Sequence, residues 1–131
     1  MANHIFPLYA QTASQTEVVS DASNTTVIKV NARHIDLQAT GSTGAAITYD
    51  AKLEGAVGMV FSVKLSDDDV GDGGTACDVR FLNSEGATAL IFDAVNEVAY
   101  LMFSDTEGGF INLGVDTDGV FPKSTSAGVV I

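Results

Sequence analysis

Hydrophobic and polar residues alternate along most of the chain from Val18 onward. A period of two indicates β-strands with one buried face, because successive side chains of a strand point to opposite sides of its sheet. The alternation predicts three inward-facing sets: Ile35, Leu37 and Ala39; Val57, Met59, Phe61, Val63 and Leu65; and Cys77, Val79 and Phe81. No segment sustains a helical period.

Further segments at 25–31, 46–49 and 89–93 are rich in β-branched and aromatic residues, and turns of Gly, Asn, Asp or Ser separate most of them. The segment FINLG follows DTEGG near the end and predicts the second strand of a hairpin. About eight short strands at this spacing predict an all-β fold, an antiparallel β-sandwich or barrel, with a jelly roll as the natural choice.

The segment VAYLMFS at 98–104 is apolar on both sides. One face of a small antiparallel sheet usually meets water, so such a strand lies either under a covering loop or at a contact between subunits. We take Leu101 and Phe103 as hypothetical subunit-interface residues.

The first 16 residues have no clean period and contain Ile5, Phe6, Leu8 and Tyr9 around Pro7. Proline restricts its own φ and the residue before it, so a helix should not begin here. Two interpretations stay open: an extended N-terminal arm, or a first strand on the domain's own sheet. The domain prediction is an arm at 1–16 and one β domain at 17–131.

Composition narrows the classes of protein. The chain has 131 residues, 46% of them hydrophobic and 18% charged, which fits one globular domain rather than a disordered chain. Its formal charge of −11 would repel a phosphate backbone, so nucleic acid is not an expected partner. The start lacks the pattern of a signal peptide and no apolar run approaches the length of a membrane span, so we expect a soluble protein with no membrane partner.

The stretch SDDDVGDGG at 66–74 raises the question of a metal site. An EF-hand loop needs oxygen ligands at alternating positions, and no starting aspartate here gives that register. An irregular calcium cage from Asp67, Asp69, Asp72 and Asp78 is the alternative to a solvated turn. We interpret the stretch as a connector and predict no metal site.

Nothing in the sequence marks an enzyme. The single cysteine excludes an internal disulfide and a cysteine-based zinc cluster. Cys77 with His34 is the plausible nucleophile and base pair, yet Cys77 shares the parity of Val79 and Phe81 and is more simply a core residue. The chain contains no GxSxG, HExxH or P-loop motif. We therefore predict no catalytic residue and no cofactor.

The segment NEVAYLMFSDTEGGFINLG at 96–114 resembles the closing hairpin of small jelly-roll modules in the virions of tailed bacteriophages. Those hairpins have a turn, an apolar strand ending in Ser-Asp, a glycine-containing tip and an aromatic-led last strand. The segments VFSVKL, DVRFLN and ALIFD look like the preceding strands of that family, so the resemblance covers about residues 35–115.

The resemblance implies a structural virion protein made in the host cytoplasm. The function expected first is capsid decoration, in which a homotrimer binds the major capsid protein on the outside of a phage head and stabilises the shell. The hypothetical capsid-contact residues are Ile5, Phe6, Pro7, Leu8 and Tyr9. The alternative is a glycan-binding module of a tail fibre or lectin-like protein, for which Tyr49 and Phe110 are the best available aromatic residues.

Overall fold

The computed structural model describes residues 13–71, 74–104 and 109–116, with the backbone alone for 115 and 116. This part of the chain contains no helix, and so none that is long and apolar enough to cross a membrane. It forms nine strands: β1 (Gln15–Val19), β2 (Thr26–Lys29), β3 (His34–Thr40), β4 (Thr48–Glu54), β5 (Val60–Val70), β6 (Asp78–Leu82), β7 (Thr88–Phe92), β8 (Val98–Phe103) and β9 (Phe110–Asp116). The prediction of an all-β fold is confirmed.

The nine strands form two mixed sheets. Sheet A has five strands in the order β1-β3-β5-β8-β9, and sheet B has four in the order β2-β4-β6-β7. The pairs β1 with β3, β3 with β5, β2 with β4 and β4 with β6 are parallel, whereas the β5–β8, β6–β7 and β8–β9 pairs are antiparallel. Two packed sheets are consistent with a β-sandwich.

The parallel pairs correct the prediction of antiparallel sheets. Every connection from β1 to β6 crosses from one sheet to the other, so neighbours within a sheet are separated by one strand of the opposite sheet. Two successive crossings restore the direction of the chain, and the neighbouring strands therefore run parallel. A jelly roll, which is built from antiparallel pairs, is not confirmed. Only the last three strands return by antiparallel pairing.

The inward faces of the two sheets share one hydrophobic core. Along β3, β4, β6 and β8, every second residue is buried and the residues between are half-buried, apart from the exposed Thr48 at the start of β4, as the period of two predicts. The rings of Phe61 and Phe103 stack at 4.8 Å between centroids on the sheet A side. On the sheet B side, Phe81 and Phe92 meet edge to face at 5.7 Å. Such aromatic pairs add to the free energy gained by burial.

Polar side chains fix several of the crossings. The side-chain oxygen of Gln15 accepts the backbone N–H groups of Asn31 and Ala32 at 2.8 and 3.0 Å, and its amide nitrogen donates to the Lys29 carbonyl at 3.0 Å. In the first crossing, the Asp21 carboxylate accepts the N–H groups of Ser23 and Asn24. These bonds pair backbone groups that the sheets leave free at the turns.

The beginning of the domain lies earlier than predicted. The predicted arm at 1–16 includes Gln15 and Thr16, but these residues belong to β1, where they pair with Ile35 and Asp36 of β3. Residues 1–12, which include the proposed capsid-contact residues, lie outside the described part of the chain. The choice between an arm and an additional strand for that segment stays a prediction.

Candidate functional site

The acidic stretch is part of a strand, which corrects its interpretation as a connector. β5 continues to Val70, with Asp67 paired to Gln38 and Val70 to Thr40 across two register shifts. The Asp68 carbonyl also accepts the Cys77 N–H at 2.8 Å. Aspartate is a poor strand former, but backbone partners on β3 outweigh that intrinsic preference here. The turn begins only at Gly71, whose φ of 90° suits glycine.

The carboxylates of Asp67, Asp68 and Asp69 offer oxygen atoms within 4.8 Å of one another. The Asp67 carboxylate accepts the Asp69 N–H at 3.1 Å, and a hydrogen bond with Asp67 raises the pKa of the Asp69 carboxyl, with smaller effects of burial and of the neighbouring charges. Among the described residues, three adjacent aspartates come together. Asp72, which belongs to the predicted alternative calcium cage, lies outside the described residues. The three side chains are partly or fully exposed, so the cluster is an acidic part of the surface. The absence of a metal site stays a prediction.

His34 and Cys77 are not brought together. Cys77 is buried as predicted, and its sulfur lies 3.4 Å from the Ile47 nitrogen and 3.5 Å from the Thr75 carbonyl oxygen. His34 lies on the outer side of sheet A, where its Nδ1 is 2.7 Å from the Ser62 hydroxyl oxygen. The cysteine therefore serves as a core residue, and the histidine takes part in a polar contact between β3 and β5.

A second polar contact joins the same two strands. The Ser66 hydroxyl donates to the Asp36 carboxylate, next to the contact between His34 and Ser62. Sequence reasoning did not find these pairs, because each depends on which residues of β3 and β5 face one another. Together they make the β3–β5 part of the outer face of sheet A polar.

The two sides of β8 differ in burial. Ala99, Leu101 and Phe103 point inward and are completely buried in the core of a single chain. This corrects the choice of Leu101 and Phe103 as subunit-interface residues, since side chains enclosed within one chain cannot reach another. The opposite side of β8 is half-buried and holds Tyr100 and Met102. A contact with another molecule through β8 would use that outer side.

The outer side of β8 continues as an apolar row onto both neighbouring strands. Met102 pairs with Val60 of β5 and with Ile111 of β9. These three side chains lie on the outer face, because the adjacent Phe61, Leu101 and Phe110 are buried inward. Directly opposed residues on antiparallel strands have Cβ atoms about 4.5–5.5 Å apart, so the three side chains are neighbours.

The apolar row has further apolar neighbours. Leu113, at the register shift of β9, and Val57, in the turn before β5, are both exposed. The N–H of Gly58, beside Val57, donates to the Phe103 carbonyl at 2.8 Å, which places this turn at the end of β8. We call the set of Val57, Val60, Met102, Ile111 and Leu113 the outer apolar patch.

One buried carboxyl lies where the chain crosses from β7 to β8. Oε2 of Glu97 accepts the N–H groups of Asp93 and Ala94 at 2.8 and 3.2 Å. Burial raises the pKa of Glu97 to about 7, helped by a hydrogen bond with the Asp93 carboxyl. The same turn holds Asn96 at a φ of 76°. The charge of Glu97 therefore changes near neutral pH, at the last crossing between the sheets.

The aromatic residues considered for sugar stacking are not accessible. Tyr49 and Phe110 are both buried, and the Tyr49 hydroxyl donates to the Thr40 carbonyl at 2.8 Å. A stacking platform needs an exposed ring face. The glycan-binding alternative thereby loses the two residues that supported it.

No protein-family model matches this chain, and a comparison with curated proteins finds no similar one.

Proposed function

We propose that this chain is a structural virion protein, a capsid decoration protein that binds the outer surface of a phage head as a homotrimer and stabilises the shell. The proposal assigns the contact with the major capsid protein to Ile5, Phe6, Pro7, Leu8 and Tyr9. It depends on surfaces for assembly rather than on a jelly-roll topology.

The observation that carries the proposal is the outer apolar patch on the closing hairpin. β8 and β9 pair in antiparallel fashion, in the segment whose sequence resembles the closing hairpin of virion modules. Exposed apolar residues that are contiguous mark contacts with other molecules, whereas scattered ones are ordinary. A rigid all-β domain with such a face suits a protein that acts by assembling.

The arrangement of candidate catalytic groups gives a second, weaker support. Within the described residues, Cys77 is enclosed in the core, while His34 contacts Ser62 on the outer face of a sheet. A nucleophile needs a base within hydrogen-bond reach, and sheet A lies between these two groups. A role in assembly requires neither.

The test mixes the purified full-length chain with undecorated phage shells and sediments the mixture. We expect the chain to pellet with the shells and to raise the temperature at which they lose integrity. A chain without residues 1–12 should stay folded by circular dichroism and remain in the supernatant.

A length-matched variant separates the apolar side chains from the segment as a whole. Ile5→Ser, Phe6→Ser and Leu8→Ser together should abolish sedimentation with shells, because each large side chain stabilises a contact by roughly 1.5–3 kcal/mol on full burial. Gln11→Ser with Thr12→Ser, in the same segment, should leave binding unchanged. Undiminished binding of the apolar variant would contradict the assigned contact, and failure of the unaltered chain to bind would contradict the function.

A further inference from the structure

The outer faces of the two sheets carry exposed apolar residues in different arrangements. On sheet A, Val60, Met102 and Ile111 form one row across three adjacent strands. On sheet B, Ile91 is paired with Arg80, and Val27 is paired with Lys52. An apolar side chain beside a charged one stays hydrated and cannot easily become part of a dry contact. Only the sheet A row is contiguous among the described residues.

Charge restricts what can cover the outer apolar patch. The chain carries −11, so a basic partner would be drawn to its acidic surfaces. The patch has no ionisable side chain and offers such a partner no charge complementarity. Two identical chains repel each other through their net charge, and at physiological salt this repulsion is screened beyond about 8 Å. A second copy can therefore approach best through a surface that lacks charges.

We infer that the outer apolar patch is the surface on which a second copy of this chain docks. The inference rests on the self-association in the proposed function and names the surface that mediates it. In a closed symmetric assembly each copy presents the same patch, so burying it removes the apolar row of every copy from water.

The structure supplies matched positions for the test. Ile111 in the patch and Ile91 on sheet B are 38% and 36% exposed. Leu113 beside the row and Val27 on sheet B are 49% and 48% exposed. Replacing any of the four by lysine changes the net charge by the same amount and makes it less negative. If only the sheet A variant of a pair loses association, the loss is due to the local surface and not to the change in net charge.

The experiment measures the mass of the full-length chain by size exclusion with light scattering over a range of concentrations. We expect the unaltered chain to give about three times 13.6 kDa. Ile111→Lys and Leu113→Lys should each give the mass of a single chain, while Ile91→Lys and Val27→Lys keep the assembled mass. Circular dichroism and thermal unfolding check the fold of each variant, and Leu113, at an exposed register shift, provides the variant least able to disturb folding.

Three outcomes would overturn the inference. The unaltered chain could be a single chain at every concentration, or all four variants could keep the assembled mass. The third is that folded Ile111→Lys and Leu113→Lys stay assembled but no longer sediment with phage shells, which would make the patch a coat contact. If instead the masses follow the expectation and the unaltered chain fails to bind shells, the inference stands and the proposed function fails.

Discussion

The outer faces of sheets A and B expose similar apolar side chains, yet they are different surfaces. On sheet B, Asp50, Arg80 and Ile91 form one row, and Arg80 donates to the Asp50 carboxylate at 2.7 and 3.1 Å. On sheet A, the row at the closing hairpin is Val60, Met102 and Ile111. The exposed fraction of single residues does not distinguish the two faces. The residues on neighbouring strands distinguish them, because apolar side chains can be buried together only where they are adjacent.

The comparison implies that the two sides of β8 should respond differently to charge. Leu101→Asp places an unpaired carboxylate in the core and should cost about 4–5 kcal/mol or more, enough to unfold a domain of ordinary stability. Met102→Asp, one residue further on the outer side, should leave the fold intact and act on association. Urea unfolding of both variants checks this. A stable, folded Leu101→Asp would mean that the inner side of β8 is not core.

Packing behind the outer apolar patch can be probed at Gly55. A Cβ atom there would collide with Cε2 of the Phe103 ring and lie 2.9 Å from both Cδ2 and Cζ, and this ring is stacked on Phe61 and cannot easily move. Gly55→Ala should therefore destabilise the fold by about 1–3 kcal/mol, the usual cost of overpacking.

Gly44→Ala is the matched control, because a Cβ at Gly44 meets nothing within 4 Å. Chemical unfolding of the two variants gives the difference. Equal stability would show that the contact between Gly55 and the Phe103 ring is looser than the structure places it.

Glu97 lies in the turn that connects sheet B to sheet A and should make stability depend on pH. Its pKa in the folded chain is raised from 4.5 to about 7, mainly by burial, so folding favours the neutral acid. That contribution is fully present below pH 4.5 and is lost as the pH rises through about 7. Asp78 on β6 acts in the same direction, since burial and then the Asp93 charge raise the pKa of Asp78.

We therefore expect the melting temperature to fall between pH 4.5 and 7, and Glu97→Gln to flatten this decline. Glu85→Gln, in the exposed turn before β7, removes the same charge and should leave the profile unchanged. A melting temperature that rises over this interval, or an unchanged profile in Glu97→Gln, would show that Glu97 does not become neutral on folding.

The smallest change in stability should come from making the outer face of sheet B apolar, like the row of Val60, Met102 and Ile111 on sheet A. Asp50 and Arg80 are both partly exposed, so their ion pair contributes less than about 1 kcal/mol. Asp50→Val together with Arg80→Met removes both charges and gives a row of three apolar side chains that includes Ile91. We expect little loss of stability but new self-association, measured by light scattering. A variant that gains no association would show that a short apolar row alone is insufficient.

Much of the core could be predicted from sequence, because alternation depends only on the local geometry of a strand. It correctly identified Ile35, Leu37, Phe61, Val79 and Phe81 as inward-facing. It failed for Val57, which is exposed, because the strand begins only at Val60. A period of two assigns sides within a strand but does not show where the strand starts.

The topology and the outer apolar patch could not be predicted in this way. A turn of a given length can close a hairpin within one sheet or cross to the other, so short connections did not reveal the parallel pairs. The acidic end of β5 was missed because its partner on β3 is distant in sequence. The row of Val60, Met102 and Ile111 likewise depends on the register of three strands, which no local pattern contains.

The central claim is that another copy covers the outer face of sheet A, whereas the outer face of sheet B meets water. It can be tested directly on the unaltered chain. Methyl NMR with a soluble paramagnetic probe compares the δ1 methyl groups of Ile111 and Ile91, two residues that are nearly equally exposed in one chain. We predict that the Ile111 signal is protected from the probe at high protein concentration and loses that protection on dilution, while Ile91 is relaxed strongly throughout. Equal relaxation of the two methyl groups at every concentration would contradict the account.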